Sequence, residues 1–509
     1  MSKSSLHEQE LSASNIHNQL DELLDYITTA AGKEQIHIAE KEILNRVLHI
    51  GLASLQKFVK ESGTGYEVDN PPVSDIKKKS LRYKTHQCSP YLSIFGEISI
   101  ERAGYQDTAT GSYYYPIDEQ LNLPQTKYSY LLTDWLLLRS TDSDYREAVD
   151  VFNKFFNLGL HHSIGQNLTE NVSRTVQDYY TQTDPPTHED EGSHLVLSAD
   201  GKGVPIRKSE RHGDLKKTET PKARRAKGEK PGIKKEATVT ATYSFMPGER
   251  SGQEIVKALL HEYKNSGDDD QHDDEAKQAV RIALNKHYRA SLISKDNAIE
   301  RAVEQLIKRD SDGNKPIVVL IDGDPALEKA IDRVLTHNNL NKRVDVKILD
   351  IIHVCEYVWE AGTAIYGEKN PNRRAWVREK LLAILYGKVG YVIGALKQIM
   401  HKNKFSQSKL DTIRKVIRYL TNHKHMMQYN EYLSKGYPIG TGVVESACGS
   451  LVKNRMERNG MRWSIDGAQA MLQLRAVARN KDWEQFMQYF IKEQKQLLYP
   501  ENYTRKMAA

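Results

Sequence analysis

Two aspartates directly follow runs of apolar residues. Asp200 follows LVLSA at 195–199, and Asp322 follows IVVLI at 317–321. Both runs are typical of short strands buried in a sheet. A carboxylate beside a dry sheet is costly unless an opposite charge compensates it, and a divalent cation is the usual partner. We therefore expect both carboxylates to bind metal ions.

Asp324 has a different predicted role. The pair Asp324-Pro325 is typical of a helix N-cap followed by proline at the first helical position. We expect Asp324 mainly to cap a helix, and Asp322 to do chemistry.

A third acid, Glu445, lies on a helix that is predicted to begin near Val443, with Thr441 as its cap, and to end at Asn459-Gly460. Helical spacing places it on one face with apolar and small residues, namely Cys448, Gly449, Val452 and Met456. The alternative is a first-turn glutamate favoured only by the helix dipole. A carboxylate on an apolar face favours a metal ligand.

Asp200, Asp322 and Glu445 together would bind Mg²⁺ or Mn²⁺ through oxygen ligands. Two such ions, about 3.5–4 Å apart, activate an attacking oxygen and stabilise a leaving oxygen at phosphorus. The sequence therefore predicts two ions per active site.

Cations and an indole follow Glu445, and this combination suits a nucleic-acid backbone with a stacked base. They are Lys453, Arg455, Arg458, Arg462 and Trp463. The alternative is a charged solvent face with one buried tryptophan.

A basic run at 207–235 holds twelve Lys and Arg against four Asp and Glu. It is either a solvated loop or a segment that contacts phosphates. Its candidate DNA contacts, with one residue just before it, are Lys202, Arg207, Lys208, Arg224 and Arg225. The acidic run at 268–275 is predicted to be a solvated loop.

Composition excludes several classes of protein. Hydrophobic residues make up 39% of the 509, so the chain can form real cores. The three cysteines lie far apart without a C-x-x-C pair, which excludes a disulfide scaffold and a zinc ribbon. No apolar stretch is long enough to span a bilayer, and the first residues lack a signal peptide's apolar core. We expect no membrane association and a cytoplasmic location.

The pattern of elements predicts an α/β fold. Strands are expected at 195–200, 238–246, 317–322 and 344–352, and helices at 276–308 and 325–337. Alternation at 89–117 predicts a β-hairpin or meander. Two helices have the form of a helix-turn-helix, or else simply pack: Ser143 is expected to cap the first, a turn at 157–159 joins them, and the second starts near Ser163.

These elements predict a series of regions. They are a helical region at 1–80, a β-rich module at 81–128, a helix-turn-helix-like DNA-binding domain at 129–185, a catalytic core at 190–353 and 436–495, an all-helical insertion at 354–435, and a tail at 496–509.

The chain resembles a known family through four motifs in order. They are LVLSADGKGVPIR, IVVLIDGDPALEKAI, ILDIIHVCEYVW and GTGVVESACGSLVKNRMERNGMRWS. Together they are similar to bacterial insertion-sequence DDE transposases with a ribonuclease H-like core. The chain looks closest to the branch with an Asp-x-x-His signature, here Asp350 to His353, which is related to Mutator-like and hAT-like elements. GEISIERAGY and PIDEQLNLP extend the resemblance, which covers roughly 80–490.

The resemblance implies that Asp200, Asp322 and Glu445 are the catalytic triad, with a helical insertion before the glutamate. It implies Mg²⁺- or Mn²⁺-dependent cleavage at the ends of a mobile element, followed by strand transfer into target DNA. Terminal inverted repeats and target DNA would be the partners, bound by a homodimer or larger assembly. Some relatives carry cysteine metal ligands, which are missing here, so no zinc is expected. His353 either contacts the scissile phosphate or packs at a helix junction with Asp350.

Two other functions stay open from the sequence. A phosphatase or phosphotransferase would use Asp322 and Asp324 as nucleophile and acid, although Pro325-Ala326 fits such a motif poorly. A DNA-binding relic of a transposase would keep the triad only by chance.

Overall fold

The computed structural model describes residues 16–67, 71–74, 79–108, 110–210, 234–262, 283–500 and 503–504. The chain divides into two compact units. One comprises residues 1–179 with 483–509, and the other comprises residues 180–482.

The first unit combines helices with small antiparallel sheets. Its strands are β1 (Val73–Ser74), β2 (Lys79–Ser80), β3 (Arg82–Ser93), β4 (Gly96–Gln106) and β5 (Tyr113–Tyr114), with Tyr503–Thr504 pairing to β1. Its helices are α1 (Ile16–Ala30), α2 (Ile36–Glu61), α3 (Pro116–Gln120), α4 (Tyr130–Asp142), α5 (Tyr145–Phe156), α6 (Ile164–Val172), the start of α7 (Val176–Gln182), and the C-terminal helix Trp483–Leu498. The predicted meander is confirmed, because β3, β4 and β5 form an antiparallel sheet.

The predicted helix pair is present, with one correction at its start. Asp144, not Ser143, caps α5, and its carboxylate accepts from the backbone N–H of Glu147. Asn157 ends α5 in the left-handed conformation at φ 51°, a conformation that asparagine tolerates better than most residues. The second helix begins at Ile164, next to the predicted Ser163.

The C-terminal helix belongs to the first unit, which corrects the predicted extension of the catalytic core to residue 495. The Trp483 indole donates to the Asp134 carboxylate at 2.6 Å, and Phe490 packs edge-on against Tyr130. These partners are on α4, so the last core helix ends before Trp483.

The second unit contains a five-stranded mixed sheet in the order β10-β9-β6-β7-β8. Its strands are β6 (His194–Pro205), β7 (Lys234–Phe245), β8 (Leu284–Ser291), β9 (Ile317–Ile321) and β10 (Val344–Leu349). β6 runs parallel to β9, which runs parallel to β10, whereas β7 is antiparallel to both β6 and β8. The predicted α/β class is confirmed.

The rest of the second unit is mainly helical. Its helices are α8 (Gly252–Leu259), α9 (Lys295–Arg309), α10 (Pro325–His337), α11 (Ile351–Tyr366), α12 (Asn372–Leu385), α13 (Val389–Lys402), α14 (Gln407–His423), α15 (Tyr429–Ser434), α16 (Gly442–Ala447), α17 (Asn454–Met456) and α18 (Ile465–Asn480). Strand β9 is wholly buried, as an apolar run between two parallel neighbours should be. α11 to α15 form the helical segment between β10 and the glutamate helix.

The predicted helix at 276–308 is wrong at residues 284–291, and its start at 276–282 lies outside the described residues. Residues 284–291 form β8, an edge strand paired with β7, and the helix α9 begins only at Lys295. Buried and exposed residues do not alternate along β8, so the sequence has no strand periodicity there. Arg289 is buried on it, and its guanidinium lies 4.3 Å from the centre of the Tyr180 ring.

Candidate functional site

The register of two parallel strands brings the aspartates to the same level. Ser198 of β6 is paired with Leu320 of β9, and Asp200 and Asp322 each follow two residues later. Both are partly exposed, unlike the apolar residues before them. Asp322 directly follows β9, whereas Asp200 lies within β6, which continues to Pro205 and so corrects the predicted strand end. The parallel register still places the two carboxylates at the same level of the sheet.

The loop after β9 is fixed by contacts to the Asp322 backbone and side chain. The Asp324 N–H donates to Asp322 Oδ1 at 2.9 Å, and the Tyr419 hydroxyl donates to the Asp322 carbonyl at 2.9 Å. Tyr419 in turn stacks on Tyr357, with ring centres 3.7 Å apart. Gly323 adopts φ +92°, where a side chain would be strained and a Cβ would press on Leu349.

Asp324 caps α10, as predicted. Its Oδ1 accepts from the Ala326 N–H at 2.9 Å, and its Oδ2 forms an ion pair with Lys295 at 3.1 Å. Lys295 also pairs with Glu236 of β7. Burial raises the pKa of Asp324, but the Ala326 hydrogen bond and Lys295 outweigh it, so the pKa lies below its ordinary value. Asp324 is therefore an ionised structural group.

The helix that carries Glu445 begins at Gly442 and changes form along its length. α16 continues directly into a π-helical stretch, Cys448–Lys453, and then into α17; these segments together are called the Glu445 helix. Thr441 occupies the N-cap position, but its side chain caps no backbone N–H, which corrects that expectation. Its hydroxyl instead lies 3.5 Å from Glu445 Oε1.

A fully buried carboxylate, Asp350, joins the start of this helix to the sheet. Asp350 Oδ1 accepts from the Thr441 N–H at 2.8 Å. Its Oδ2 accepts from the N–H of His353, capping α11, and lies 2.7 Å from His353 Nδ1. Its own N–H donates to the Ile321 carbonyl at the end of β9. Asp350 thus positions β9, α11 and the Glu445 helix at one corner, which we call the Asp350 corner.

His353 lies between two carboxylates. Its Nδ1 is 3.9 Å from Glu445 Oε1 as well as hydrogen-bonded to Asp350. The Asp350 hydrogen bond, with the charges of Asp350 and Asp322, raises the pKa of His353 to about 9 against the opposing effect of burial. His353 is therefore a cation at neutral pH. The predicted hydrogen bond to Asp350 is confirmed, whereas contact with a scissile phosphate stays a prediction.

Electrostatic coupling links the three predicted catalytic acids. Burial raises the pKa of Asp322, and the negative charge of Asp200 raises it further. Burial also raises the pKa of Glu445, with Asp350 and Asp200 adding to the effect and His353 opposing it. Burial and the Asp200 carboxylate likewise raise the pKa of the Cys448 thiol. Asp200 therefore acts on both partners, one on the neighbouring strand and one on the helix.

The donor atoms in this region fit a hard cation. The Asp200 carboxylate repels those of Asp322 and Glu445, and a divalent ion would relieve that repulsion. Among the described residues, the one group of three possible ligands whose atoms all lie within 4.8 Å of one another is Asp350, His353 and Glu445, so Asp200, Asp322 and Glu445 do not lie that close together. His353 Nδ1 is already hydrogen-bonded to Asp350, so an ion pair between His353 and its neighbouring carboxylates explains why these three groups lie together.

Two predicted DNA contacts are buried, which corrects their assignment. Arg455 is only 1% exposed, and Trp463 is 7% exposed. The guanidinium of Arg455 lies 5.1 Å from the centre of the Trp463 ring, and the indole donates to the Met456 carbonyl. This cation–π packing, not a stacked base, explains why the two residue types occur together.

Other predicted DNA contacts lie at the surface. Exposed or partly exposed cations are found at Lys202, Arg207, Lys208, Lys453, Arg458 and Arg462. The backbone of Arg207 donates to the Trp463 carbonyl, and Trp463 donates back to the Pro205 carbonyl. The end of β6 is thereby held beside the segment that follows the Glu445 helix. Arg224 and Arg225, like the acidic run, lie outside the described residues.

Sequence reasoning missed the positioning roles of Lys295 and Tyr419, and it left the role of Asp350 open. Lys295 is one of many lysines, and Tyr419 lies in the helical insertion, 97 residues from the aspartate it supports. Only Asp350 carried a signal, since an aspartate three residues before a histidine at a strand–helix junction is a good N-cap candidate.

No protein-family model matches this chain, and no curated protein is significantly similar to it. In the part of the chain that the structure describes, no helix has both the length and the apolar character needed to cross a bilayer.

Proposed function

We propose that this protein is a DNA transposase that uses divalent metal ions to cut the ends of a mobile element and join them to target DNA. One observation carries the proposal. Asp200 and Asp322 lie at the same level of two neighbouring parallel strands. Glu445 lies on a helix, 123 residues after Asp322 in the sequence, and the charge of Asp200 raises its pKa. Such convergence of distant acids is what metal-assisted phosphoryl transfer requires.

The sheet supports a ribonuclease H-like core. Numbered by their order within the unit, its strands lie in the order 3-2-1-4-5, with only the second strand antiparallel to its neighbours. A helix connects the third strand to the fourth and another connects the fourth to the fifth. The first acid lies on the central strand and the second follows its parallel neighbour. This is the arrangement that the proposed fold class would have.

The residues would divide the work as follows. Asp200 and Asp322 would hold two Mg²⁺ or Mn²⁺ ions, with Glu445 as a further ligand of one of them. When bound, the ions would activate water or a DNA 3′-hydroxyl and stabilise the leaving oxygen. Asp350 would keep the Glu445 helix in place through the Thr441 N–H, and the Tyr419 hydroxyl would hold the backbone of Asp322.

DNA would be bound by residues in both units. Lys202, Arg207, Lys453, Arg458 and Arg462 would contact phosphates near the scissile bond, since cations contribute affinity without sequence information. The pair α5 and α6 would read the terminal inverted repeats, where exposed Asn167 is one side chain able to contact base edges. Two element ends must be joined, so a dimer or larger assembly would form on DNA.

The alternative functions receive less support. In a phosphatase that used Asp322 and Asp324, the second aspartate would need to be free to move a proton. Asp324 is instead bound to the Ala326 N–H and to Lys295, and its pKa is lowered. A relic without activity would not need Glu445 near Asp200, so the acidic convergence favours an active enzyme.

The test uses end-labelled DNA that contains the sequences flanking this reading frame. With Mg²⁺ the unaltered protein should nick the element ends and transfer them to a target plasmid. Glu445→Gln should lower both reactions about 10³-fold while end binding stays within about twofold. The matched control is Glu431→Gln, an exposed glutamate in the helical segment, which should be fully active.

Three results would count against the proposal. Hydrolysis of a small phosphate ester without DNA nicking would indicate the phosphatase, and binding without nicking would indicate the relic. Equal loss of DNA binding in Glu445→Gln would mean that Glu445 acts through structure and not through a metal ion.

A further inference from the structure

A cavity of about 480 Å³ lies in the second unit beside the first turns of the Glu445 helix. Val443 and Ser446 of that helix form one wall, whereas Glu445 between them contacts the Asp350 corner. The opposite walls come from the sheet through Tyr243 of β7 and Tyr288 of β8. The volume is within the roughly 300–1,000 Å³ of typical small-molecule sites.

The cavity is mainly apolar, and its charged residues all have the same sign. Aliphatic side chains from α8 and α11, including Leu259 and Ile352, complete its surface. The described residues that line it include Arg250, Lys286 and Arg479 and no aspartate or glutamate. An apolar pocket with three cations favours a ligand that has an apolar body and a negative charge.

Arg250 has unused hydrogen-bonding capacity at this site. Its Nη2 donates to the Tyr437 carbonyl at 2.6 Å, but its Nε is buried without a hydrogen-bond partner among the described residues. The neighbouring Glu254 accepts from the Ser251 N–H in a capping box. A buried donor without an acceptor is unfavourable, and an anionic ligand would supply the acceptor.

The other two cations are placed to select a flat ligand. The Arg479 guanidinium lies 6.0 Å from the centre of the Tyr288 ring, so the cation and the aromatic ring flank the same opening. Neither Lys286 nor Arg479 forms an ion pair with any described residue. A planar group would pack along the edge of this Arg479–Tyr288 pair while its negative charge lies between the cations.

We propose that this cavity binds a free small molecule with a flat apolar body and one anionic group, no larger than a nucleotide. The site does not depend on the proposed function. Its occupant would rest against Val443 and Ser446, so binding would bear on the helix that positions Glu445.

The test compares two fluorescent probes that differ only in charge, using the full chain. They are 8-anilinonaphthalene-1-sulfonate and its uncharged counterpart N-phenyl-1-naphthylamine. The anionic probe should bind saturably at one site per chain and raise the melting temperature. The double variant Lys286→Gln with Arg479→Gln should weaken the anionic probe about tenfold and leave the neutral probe unchanged.

Two further variants locate the bound probe. Ala258 is exposed and lines the cavity, so Ala258→Trp should fill it and abolish binding of both probes. The controls are Gln253→Trp and Lys257→Gln, which change exposed residues of the same helix outside the cavity and should bind both probes normally.

The proposal is overturned if the double variant binds the anionic probe as tightly as the unaltered chain, or if Ala258→Trp still binds it. Displacement of the probe by duplex DNA at equimolar concentration would also overturn it, because the cavity would then accommodate DNA and not a free small molecule.

Discussion

The pair Asp200 and Asp322 and the Asp350 corner are both acidic, but they are built in opposite ways. Asp200 and Asp322 are partly exposed, and their carboxylates accept hydrogen bonds from backbone N–H groups one or two residues away. Asp350 is fully buried and accepts hydrogen bonds from two helix starts and an imidazole. A carboxylate that accepts one hydrogen bond has lone pairs left for a metal ion, whereas a buried carboxylate that accepts three hydrogen bonds is suited to hold the surrounding elements in place.

Glu445 is the residue shared by the two regions. Its carboxylate lies 3.9 Å from His353 in the corner, and it is also affected by the charge of Asp200. Variants of the two regions should therefore have different effects. Substitution of Asp200 or Asp322 should reduce catalysis, and substitution in the Asp350 corner should reduce stability.

The largest effect is expected within one loop. Asp322→Asn should reduce DNA cleavage about 10³-fold, because an amide is a poor ligand for two cations. Asp324→Asn is the matched control. Asparagine caps helices as well as aspartate does, so only the ion pair with Lys295 is lost and cleavage should change less than about threefold. Similar losses in both variants would contradict the division of roles.

Asp350→Asn should instead affect stability. The amide places an N–H₂ group against N–H donors in a fully buried position, which should lower the free energy of unfolding by about 3 kcal/mol. Urea denaturation would measure it. Asp296→Asn, in the exposed pair with Arg333, is the control and should cost under about 1 kcal/mol. A stable Asp350→Asn protein would mean that the corner does not hold the frame.

His353→Gln should change how stability depends on pH. The folded pKa of about 9 exceeds the ordinary value of 6.5, so protonated His353 stabilises the fold fully below pH 6.5. That contribution is lost as pH rises through 9. The variant should melt about 5 °C below the unaltered chain at about pH 6, and this gap should close above about pH 9.

The control for this experiment is His401→Gln, which changes an exposed histidine. Its melting temperature should equal that of the unaltered chain at every pH. A gap for His353→Gln that stays constant with pH would show that His353 acts only by packing.

The smallest effects are expected for cations near the Glu445 helix. Lys453→Gln and Arg462→Gln should each weaken DNA binding a few-fold and reduce the salt slope by about one. Arg455→Met should leave the slope unchanged and lower stability, because Arg455 is buried against Trp463. Filter binding over a range of salt concentrations would distinguish the two behaviours, and a reduced slope for Arg455→Met would show that Arg455 reaches DNA after all.

The position of Asp322 was predictable from the sequence because its environment is local. An apolar run followed by an aspartate determines both a buried strand and a carboxylate at its end, as at 317–322. The cap at Asp324 was equally predictable, since a cap and its partner lie two residues apart.

The rest depended on contacts between distant residues. The Asp350 corner depends on a hydrogen bond from the Thr441 N–H to Asp350, which lies 91 residues earlier in the sequence. Sequence spacing alone cannot reveal that contact. Cations gave the wrong signal at Arg289 and Arg455, which are buried beneath the Tyr180 and Trp463 rings. Charged residues normally lie at the protein surface. For this reason the charged residues of β8 suggest a solvent-exposed helix, and Arg455 suggests a DNA contact.

The most direct test is a crystal structure with Mn²⁺, using anomalous scattering to locate the ions. We expect two ions about 3.5–4 Å apart that contact Asp200 and Asp322, with Glu445 turned from His353 to one of them. A single ion held by Asp350, His353 and Glu445, with none at Asp200 or Asp322, would contradict the proposed catalytic site.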